Sequence, residues 1–295
     1  MNNQTTRYYT IGNHTFSVGG ENLCGILADK YRFEKFLADN TDKVKAEFRF
    51  IETAEVPPAS GQLIYQLKDE DTLFLFTRTS AGYRLHQQQD CGKTLDLWLD
   101  EGNREMKLAG DLDHRMVYYA LWFGYGMQTL GRQTVMVHSS CIVCHEGAIL
   151  FLGESGTGKS THTRLWREHI AGAHLLNDDS PVLRIEEGEV WVYGSPWSGK
   201  TPCYRTERYR LKACVRLSQA PRNEIKRLSV LQGYAALHPS FPPPFAYERS
   251  LYNPLSRMLG DILSQVPCYH LACLPDEEAA RLSHDTLFNL SNFRK

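Results

Sequence analysis

Apolar and polar residues alternate in short runs from the start of the chain to about Leu108, the period expected of half-buried strands. The runs Tyr8–Ile11, Thr15–Val18, Glu47–Glu52, Gln62–Leu67, Thr72–Thr77, Tyr83–Gln87, Thr94–Leu99 and Met106–Leu108 predict strands, mostly separated by Gly, Asp, Asn or Pro. Gly12-Asn13-His14 is the turn between the first two. One short helix is expected near Arg32–Ala38, and the whole reads as an antiparallel β-rich unit with no titratable cluster that demands chemistry. The period then lengthens. Leu112–Leu130 predicts a helix with Asp111 or Asp113 near its start and Gly131 at its end, although Gly124 and Gly126 weaken it locally.

From Arg132 the texture changes. Thr134–Val143 is strand-like, His145-Glu146-Gly147 is a turn, and Ala148–Leu152 is a short apolar strand that runs into a glycine-rich loop and a helix at Lys159–Ile170. Strands follow at His174–Leu176, Pro181–Ile185, Val190–Tyr193 and Lys212–Leu217. Helices are predicted at Leu228–Leu237, Leu251–Val266 and Asp276–Leu287, with the strand Tyr269–Leu274 between the last two and a loop at Pro242-Pro243-Pro244. There is no internal repeat. The division expected from this change of pattern is residues 1–131, a β-rich accessory or recognition domain with a C-terminal linking helix, and residues 132–295, a catalytic domain.

Composition narrows the possible functions. The chain has 295 residues, and 33 Lys and Arg stand against 34 Asp and Glu, a net charge of −1 that argues against nucleic acid or an anionic membrane as main partner. The first residues lack the pattern of a signal peptide, and no apolar run approaches the roughly 18 residues a span needs, so a cytoplasmic location is expected. Eight scattered cysteines do not frame a disulfide scaffold. Cys141-Ile-Val-Cys144-His145 fits a haem-attachment pattern. In a β-run, though, residues three apart point to opposite faces, and no second CxxC completes a zinc site, so these cysteines read as core.

One motif carries chemistry. Gly153-Glu154-Ser155-Gly156-Thr157-Gly158-Lys159-Ser160, followed by Thr161, satisfies G-x-x-x-x-G-K-[ST] between an apolar strand and a helix. A chance match in a chain of this length is roughly a one-in-a-hundred event. Glycines let backbone N–H groups close around phosphate oxygens, and the helix N-terminus adds its positive dipole end. Lys159 then bridges the β- and γ-phosphates of ATP while Ser160 Oγ ligates Mg²⁺. Asn177-Asp178-Asp179 begins its acid pair nineteen residues after Lys159. Two adjacent carboxylates allow one to hold the metal and the other to take a proton from an attacking hydroxyl; the bland alternative is an Asx turn or a helix cap.

Ala148–Thr161 (AILFLGESGTGKST) together with Leu175–Asp179 (LLNDD) resembles the HPr serine kinase/phosphorylase family and, more distantly, ATP-dependent phosphoenolpyruvate carboxykinase. His138, twenty-one residues before Lys159, matches the family's histidine one hairpin upstream of the loop. The resemblance covers about Thr134–Leu217. It implies an α+β, mixed α/β protein: a β-rich N-terminal domain followed by a P-loop kinase core of the HPr kinase/phosphoenolpyruvate carboxykinase type. It also implies that Asp178 is the base, Asp179 and Ser160 the Mg²⁺ ligands, Lys159 the phosphate clamp, and that His138 lies near the transferring phosphoryl group.

Two departures qualify it. The family's glycine-arginine-asparagine stretch is replaced by Gly194-Ser-Pro-Trp-Ser-Gly-Lys200-Thr-Pro202, followed by Arg205: either a lid whose cations Lys200 and Arg205 reach the phosphates, or a Pro/Gly surface loop. The N-terminal unit is unlike that of the HPr enzymes, so the resemblance does not extend to HPr itself as the acceptor. The function implied is a Mg²⁺-ATP-dependent serine kinase-like phosphotransferase acting on a hydroxyl of a protein or peptide. Alternatives are a nucleotide-responsive regulatory protein without phosphotransfer and, with less support, a carboxykinase. Basic residues at 205, 208, 210, 212 and 216 read as a solvated strand edge or a modest surface for an acidic partner. The residues leave open the acceptor's identity, the oligomeric state and the reverse reaction.

Overall fold

The computed structural model describes residues 5–28, 32–39, 45–58, 61–145, 147–199 and 201–288. It is a mixed structure of two sheets and α-helices, of the α+β kind. Contacts divide it into two compact units. The first holds the described residues up to Arg132 together with Pro244–Tyr252; the second holds Gln133–Pro243 and Asn253 onward. No helix among the described residues is long and apolar enough to cross a membrane.

The first unit is an eight-stranded sheet. Its strands are β1 (Thr6–Ile11), β2 (His14–Gly19), β3 (Phe48–Glu52), β4 (Gln62–Asp69), β5 (Thr72–Arg78), β6 (Gly82–Gln89), β7 (Thr94–Asp100) and β8 (Glu105–Gly110), in the order β1-β2-β3-β8-β7-β6-β5-β4. All eight match the alternating runs. The expectation of a wholly antiparallel sheet fails at β3, which pairs parallel with both β2 and β8. Parallel neighbours need a long crossover, and the chain between β2 and β3 supplies one that includes α1 (Glu21–Ala28), a helix not expected from the sequence. The helix expected near Arg32–Ala38 is a single 3-10 turn at Glu34–Phe36.

Helix α2 (His114–Thr129) begins at Asp113, whose carboxylate accepts from the Arg115 N–H at 3.0 Å, a standard N-cap. Gly124 and Gly126 stay within it. A Cβ at Gly124 would stand 2.6 Å from Phe50 Cε1 and 2.8 Å from Met106 Sδ, so the missing side chain is what lets the helix close on the sheet. The core there is aromatic: Phe16 stacks on Phe48 at 5.3 Å, and both meet Tyr125 edge-on.

In the second unit the strands are β9 (Thr134–Met136), β10 (Ser139–Cys144), β11 (Gly147–Leu152), β12 (His174–Asp179), β13 (Val182–Glu186), β14 (Glu189–Tyr193), β15 (Arg208–Gln219), β16 (Glu224–Arg227) and β17 (Cys268–Cys273). The helices are α3 (Lys159–His169), α4 (Val230–Leu237), α6 (Glu277–Phe288) and, from Asn253 on, α5 (Arg249–Gln265). Residues Ile142, Ile149, Phe151, Val215 and Leu271 of the sheet pack on Leu165 and Trp166 of α3 and Ala280 and Leu287 of α6 to form one core.

The strand expected over Thr134–Val143 is split into β9 and β10, yet one ladder runs through the split. Met136 stands opposite Val182 and Ser139 opposite Asp179, so three steps along one strand match three along the other. Val137 N–H still donates to Pro181 O at 3.1 Å. At His138 the ladder opens, and its N–H turns to Ser240 O at 2.6 Å. The hydrogen-bonded path also returns on itself: β10 to β11, β15, β14, β13 and β9, which two residues later becomes β10 again. The sheet is thus a closed, barrel-like circuit, and His138 sits where its central ladder parts.

Candidate active site

Strand β11 delivers the glycine loop. It is the second arm of a hairpin with β10 and lies parallel to β15 on its other side, so it enters the loop from a hairpin, as the sequence led us to expect. Gly153, Gly156 and Gly158 all have positive φ (153°, 82° and 103°), the region that L side chains rarely adopt. At Gly153 space matters as well: a Cβ would lie 2.4 Å from Thr157 Oγ1, which instead donates to Glu154 O at 2.7 Å and tightens the loop. Gly158 is the left-handed residue from which α3 starts, so the first turn of α3, with Lys159, Ser160 and Thr161, presents its free N–H groups at the loop. Lys159 Nζ donates to the carbonyls of Gly153 (2.8 Å) and Glu154 (3.2 Å).

The topology brings the acid pair to the same edge. β10 is antiparallel to both β11 and β12, so β11 and β12 run the same way and end together, with the start of β10 between them. The residues after β11, at the end of β12 and before β10 therefore converge: the loop, Asp178-Asp179 and His138. Ser160 Oγ donates to Asp178 Oδ1 at 3.1 Å. Asp178 is buried, while the Asp179 side chain is 41% exposed with Oδ1 3.6 Å from His138 Nδ1. In a regular strand the two carboxylates would face opposite sides. Asp179 escapes that alternation through a backbone φ of 150°, an uncommon conformation for a non-glycine residue and one that collects at functional sites.

Asn177 holds this geometry. Its buried Nδ2 donates to Ser195 O, Ser195 Oγ and Trp197 O at 3.1–3.2 Å, while its Oδ1 accepts from Ser180 N–H at 2.9 Å. Gly199 N–H donates to Asp178 O at 2.6 Å, and Ser180 Oγ donates to Asp179 Oδ2 at 3.0 Å. On the other flank Ser140 Oγ, opposite Asp178, meets Thr163 Oγ1 of α3 at 3.1 Å.

The electrostatics follow from closeness and burial. Burial pushes the Lys159 ammonium down from its usual range; Asp179 and Asp178 pull it back up, and Arg216 pushes it further down. The His138 ring is also depressed below the ordinary 6.5, by partial burial first and by Lys159, with Asp179 and Asp178 opposing.

Ser160 Oγ contacts Asp178, whereas the family resemblance implies Asp179 as its partner at the metal. Lys200 lies outside the described residues. Arg205 is exposed and its guanidinium donates to Glu207 Oε1 at 3.3 Å, an arrangement that does not direct it to the loop. Within the 194–199 segment Ser195 and Trp197 are buried, and a Cβ at Gly194 would lie 2.0 Å from Arg205 O.

Sequence reasoning missed Arg216, taken as part of a solvated edge. Register places it beside Leu152 across β11 and β15, next to the loop, where its Nη2 is 3.6 Å from Glu154 Oε1. Its basic neighbours on β15 are ion-paired too, Arg208 with Glu186 and Arg210 with Glu189. Two cavities flank the loop. One, of about 670 Å³, is lined by Glu154–Thr157, Arg216, Gln219 and His270. The other, of about 620 Å³, lies along Gly156–Gly158, Thr161, Leu165 and Pro275. Both have the size of small-ligand sites.

No family model matches the chain, and no curated protein matches it. Among solved structures, the HPr(Ser) kinase/phosphatase from Coxiella burnetii is 11% identical, with 54% of this chain and 97% of that chain covered and a TM-score of 0.31. A likeness that slight carries no weight for the chemistry, which rests on the side chains themselves.

Proposed function

We propose that the chain is a Mg²⁺-dependent phosphotransferase that passes the γ-phosphoryl group of ATP to a hydroxyl of a protein or peptide. The observation that carries this reading is the 3.1 Å contact between Ser160, the hydroxyl of the glycine motif, and Asp178, an acid from a different strand. Phosphate cradles need a hard cation with oxygen ligands, and a hydroxyl paired with a carboxylate is the donor set that suits Mg²⁺. Ser160 and Asp178 would hold Mg²⁺, which when bound would neutralise phosphate charge; the remaining work belongs to the chain.

The glycine loop and the start of α3 orient the polyphosphate, and Lys159 exchanges its carbonyl partners for phosphate oxygens. Asp179, the more exposed acid and the one facing His138, takes the hydroxyl proton as the acceptor oxygen bonds to phosphorus and the bond to the departing ADP breaks. This reverses the roles that the family resemblance gives Asp178 and Asp179. Burial supports the reversal: an incoming acceptor meets an exposed carboxylate sooner than a buried one.

The test is transfer of label from γ-labelled ATP to a peptide panel and a cell extract, with Asp179→Asn and Asp178→Asn beside the wild type. Labelled acceptor in the wild type, with labelling sharply reduced in Asp179→Asn and recovered in Asp178→Asn only at higher Mg²⁺, is the expected result. Nucleotide binding with no acceptor labelled under any condition would leave a nucleotide-responsive binding protein instead.

A further inference from the structure

We propose a second metal site, for a borderline transition ion of the zinc class, built from Cys144, His145 and His284 at the turn that joins β10 to β11. It is independent of the phosphotransfer reading. One donor atom from each of the three side chains lies within 4.8 Å of the other two. They come from separate places: Cys144 ends β10, His145 follows it in the turn, and His284 is on α6. A thiolate with two imidazoles is a donor set that selects zinc-like ions over Mg²⁺ or Ca²⁺.

Two features of His284 point to a ligand. Its Nδ1 lies 2.9 Å from the carboxylate of Asp285, which fixes the ring proton on that nitrogen and leaves Nε2 as a lone pair. A carboxylate behind the ring is the outer partner that metal-binding histidines commonly have. Nε2 itself is buried and has no hydrogen-bond partner among the described residues. A buried acceptor without a partner is costly, and a cation would satisfy it.

The rest of the site is compatible. Cys144 Sγ makes a long 3.9 Å contact with Ala171 O and a hydrogen bond with the backbone of His145, and neither blocks a metal–sulfur bond. His145, at a φ of 47°, is exposed and stands 5.9 Å ring to ring from His284. In a tetrahedral zinc shell, bonds of about 2.0–2.3 Å put donors roughly 3.5 Å apart, so closure takes a small rotation of this exposed ring. The thiol proton leaves to solvent as the metal–sulfur bond forms, and a water fills the fourth position. The bound ion would clasp the β10–β11 turn, at the end of the hairpin away from the glycine loop, to α6. Of the C-x-x-C-H stretch, then, only Cys144 and His145 serve; Cys141, three residues back on the strand, lies on the other face.

Titration of the full chain with Co²⁺, followed by absorption, tests this. The expected result is one equivalent bound with a sulfur-to-cobalt charge-transfer band, displaced by Zn²⁺. Cys144→Ala removes the band; His145→Ala and His284→Ala weaken binding by at least about tenfold, and Asp285→Asn by about tenfold. Cys203→Ser, at the thiol hung on the β12 carbonyls of Leu175 and Leu176, leaves the band in place, which separates this site from the acid pair. Zn²⁺ should also raise the thermal midpoint of the wild type and not that of His145→Ala, an exposed position whose replacement leaves the core intact. Absence of the band in the wild type, or its survival in Cys144→Ala, overturns the proposal. Should Cys144→Ala not fold, unchanged Co²⁺ affinity in His145→Ala overturns it as well.

Discussion

Ser160 Oγ donates a 3.1 Å hydrogen bond to Asp178 Oδ1, joining the first turn of α3 to a strand two places from β11 in the sheet. If the pair holds Mg²⁺, its members share one job. Ser160→Ala and Asp178→Asn should each raise the Mg²⁺ concentration for half-maximal phosphotransfer by about tenfold or more, and the double variant should be no worse than the product of the two. Asp179→Asn should behave differently. Nucleotide and Mg²⁺ binding stay, while kcat falls by about 10²–10⁴. Equilibrium titration with a fluorescent ATP analogue, beside steady-state kinetics, separates the two outcomes.

His138 gives a pH signature. Its pKa lies below the ordinary 6.5 because partial burial penalises the charged ring more than Asp179 and Asp178 favour it. The ring therefore stays neutral through the neutral range and protonates only in more acid solution. The acid limb of kcat that belongs to His138 should lie below 6.5, and His138→Asn should remove that limb without moving the alkaline one. A pH–rate profile of both proteins is the measurement.

His162 gives a second signature, in stability. It is buried, with its Nε2 accepting from Trp166 Nε1 at 3.2 Å and lying 3.1 Å from Ser283 Oγ, and burial pushes its pKa to about 4. Between about 4 and the ordinary 6.5 the unfolded chain binds a proton that the folded protein refuses, so this contribution is complete above 6.5 and declines as pH falls. Stability from this residue should drop by about 2 kcal/mol on going from neutrality to about pH 5. Urea unfolding at both pH values, repeated on His162→Gln, checks it: the variant should lose that part of the dependence.

Gly124→Ala sets two effects against each other. Alanine favours the helix by about 1 kcal/mol over glycine, but its methyl meets Phe50 at 2.6 Å and Met106 at 2.8 Å, and overpacking a core costs about 1–3 kcal/mol. The clash should win, with a net loss seen as a lower denaturation midpoint at an unchanged m-value.

Asn177→Ala tests the clamp behind the acids. It strips the partner from the Ser180 N–H and three bonds from the 195–197 segment. A buried network cut on one side costs about 1–3 kcal/mol. Phosphotransfer should fall with stability, because Asp179 loses the turn that holds its unusual backbone.

The glycine loop was legible because its needs are local: positive φ at three glycines, a lysine and a hydroxyl at fixed spacing. The acid pair was legible as a pair, whereas which carboxylate Ser160 reaches and the φ of Asp179 are tertiary facts that spacing does not give. Arg216 looked like one more cation on a strand edge, since only the parallel register of β11 and β15 brings it to Glu154. The parallel pairing of β3 was hidden because alternation along a strand says nothing of its neighbours' direction. Helix α1 is short and carries Gly25, and β16 is four residues of mostly charged edge; neither has a pattern strong enough to read.

From Thr134 opposite Arg184 to Cys141 opposite Asn177 the ladder keeps its count across the opening at His138, and it slips by one residue only beyond that, between Cys141 and Ile142. Side-chain facing in a strand repeats every two residues, so an insertion or deletion of one residue in either arm would present the wrong neighbour to Ser160 and to His138. Residues 134–141 and 177–184, the run that keeps count around His138 and Asp178, can thus absorb changes of residue type far better than changes of chain length.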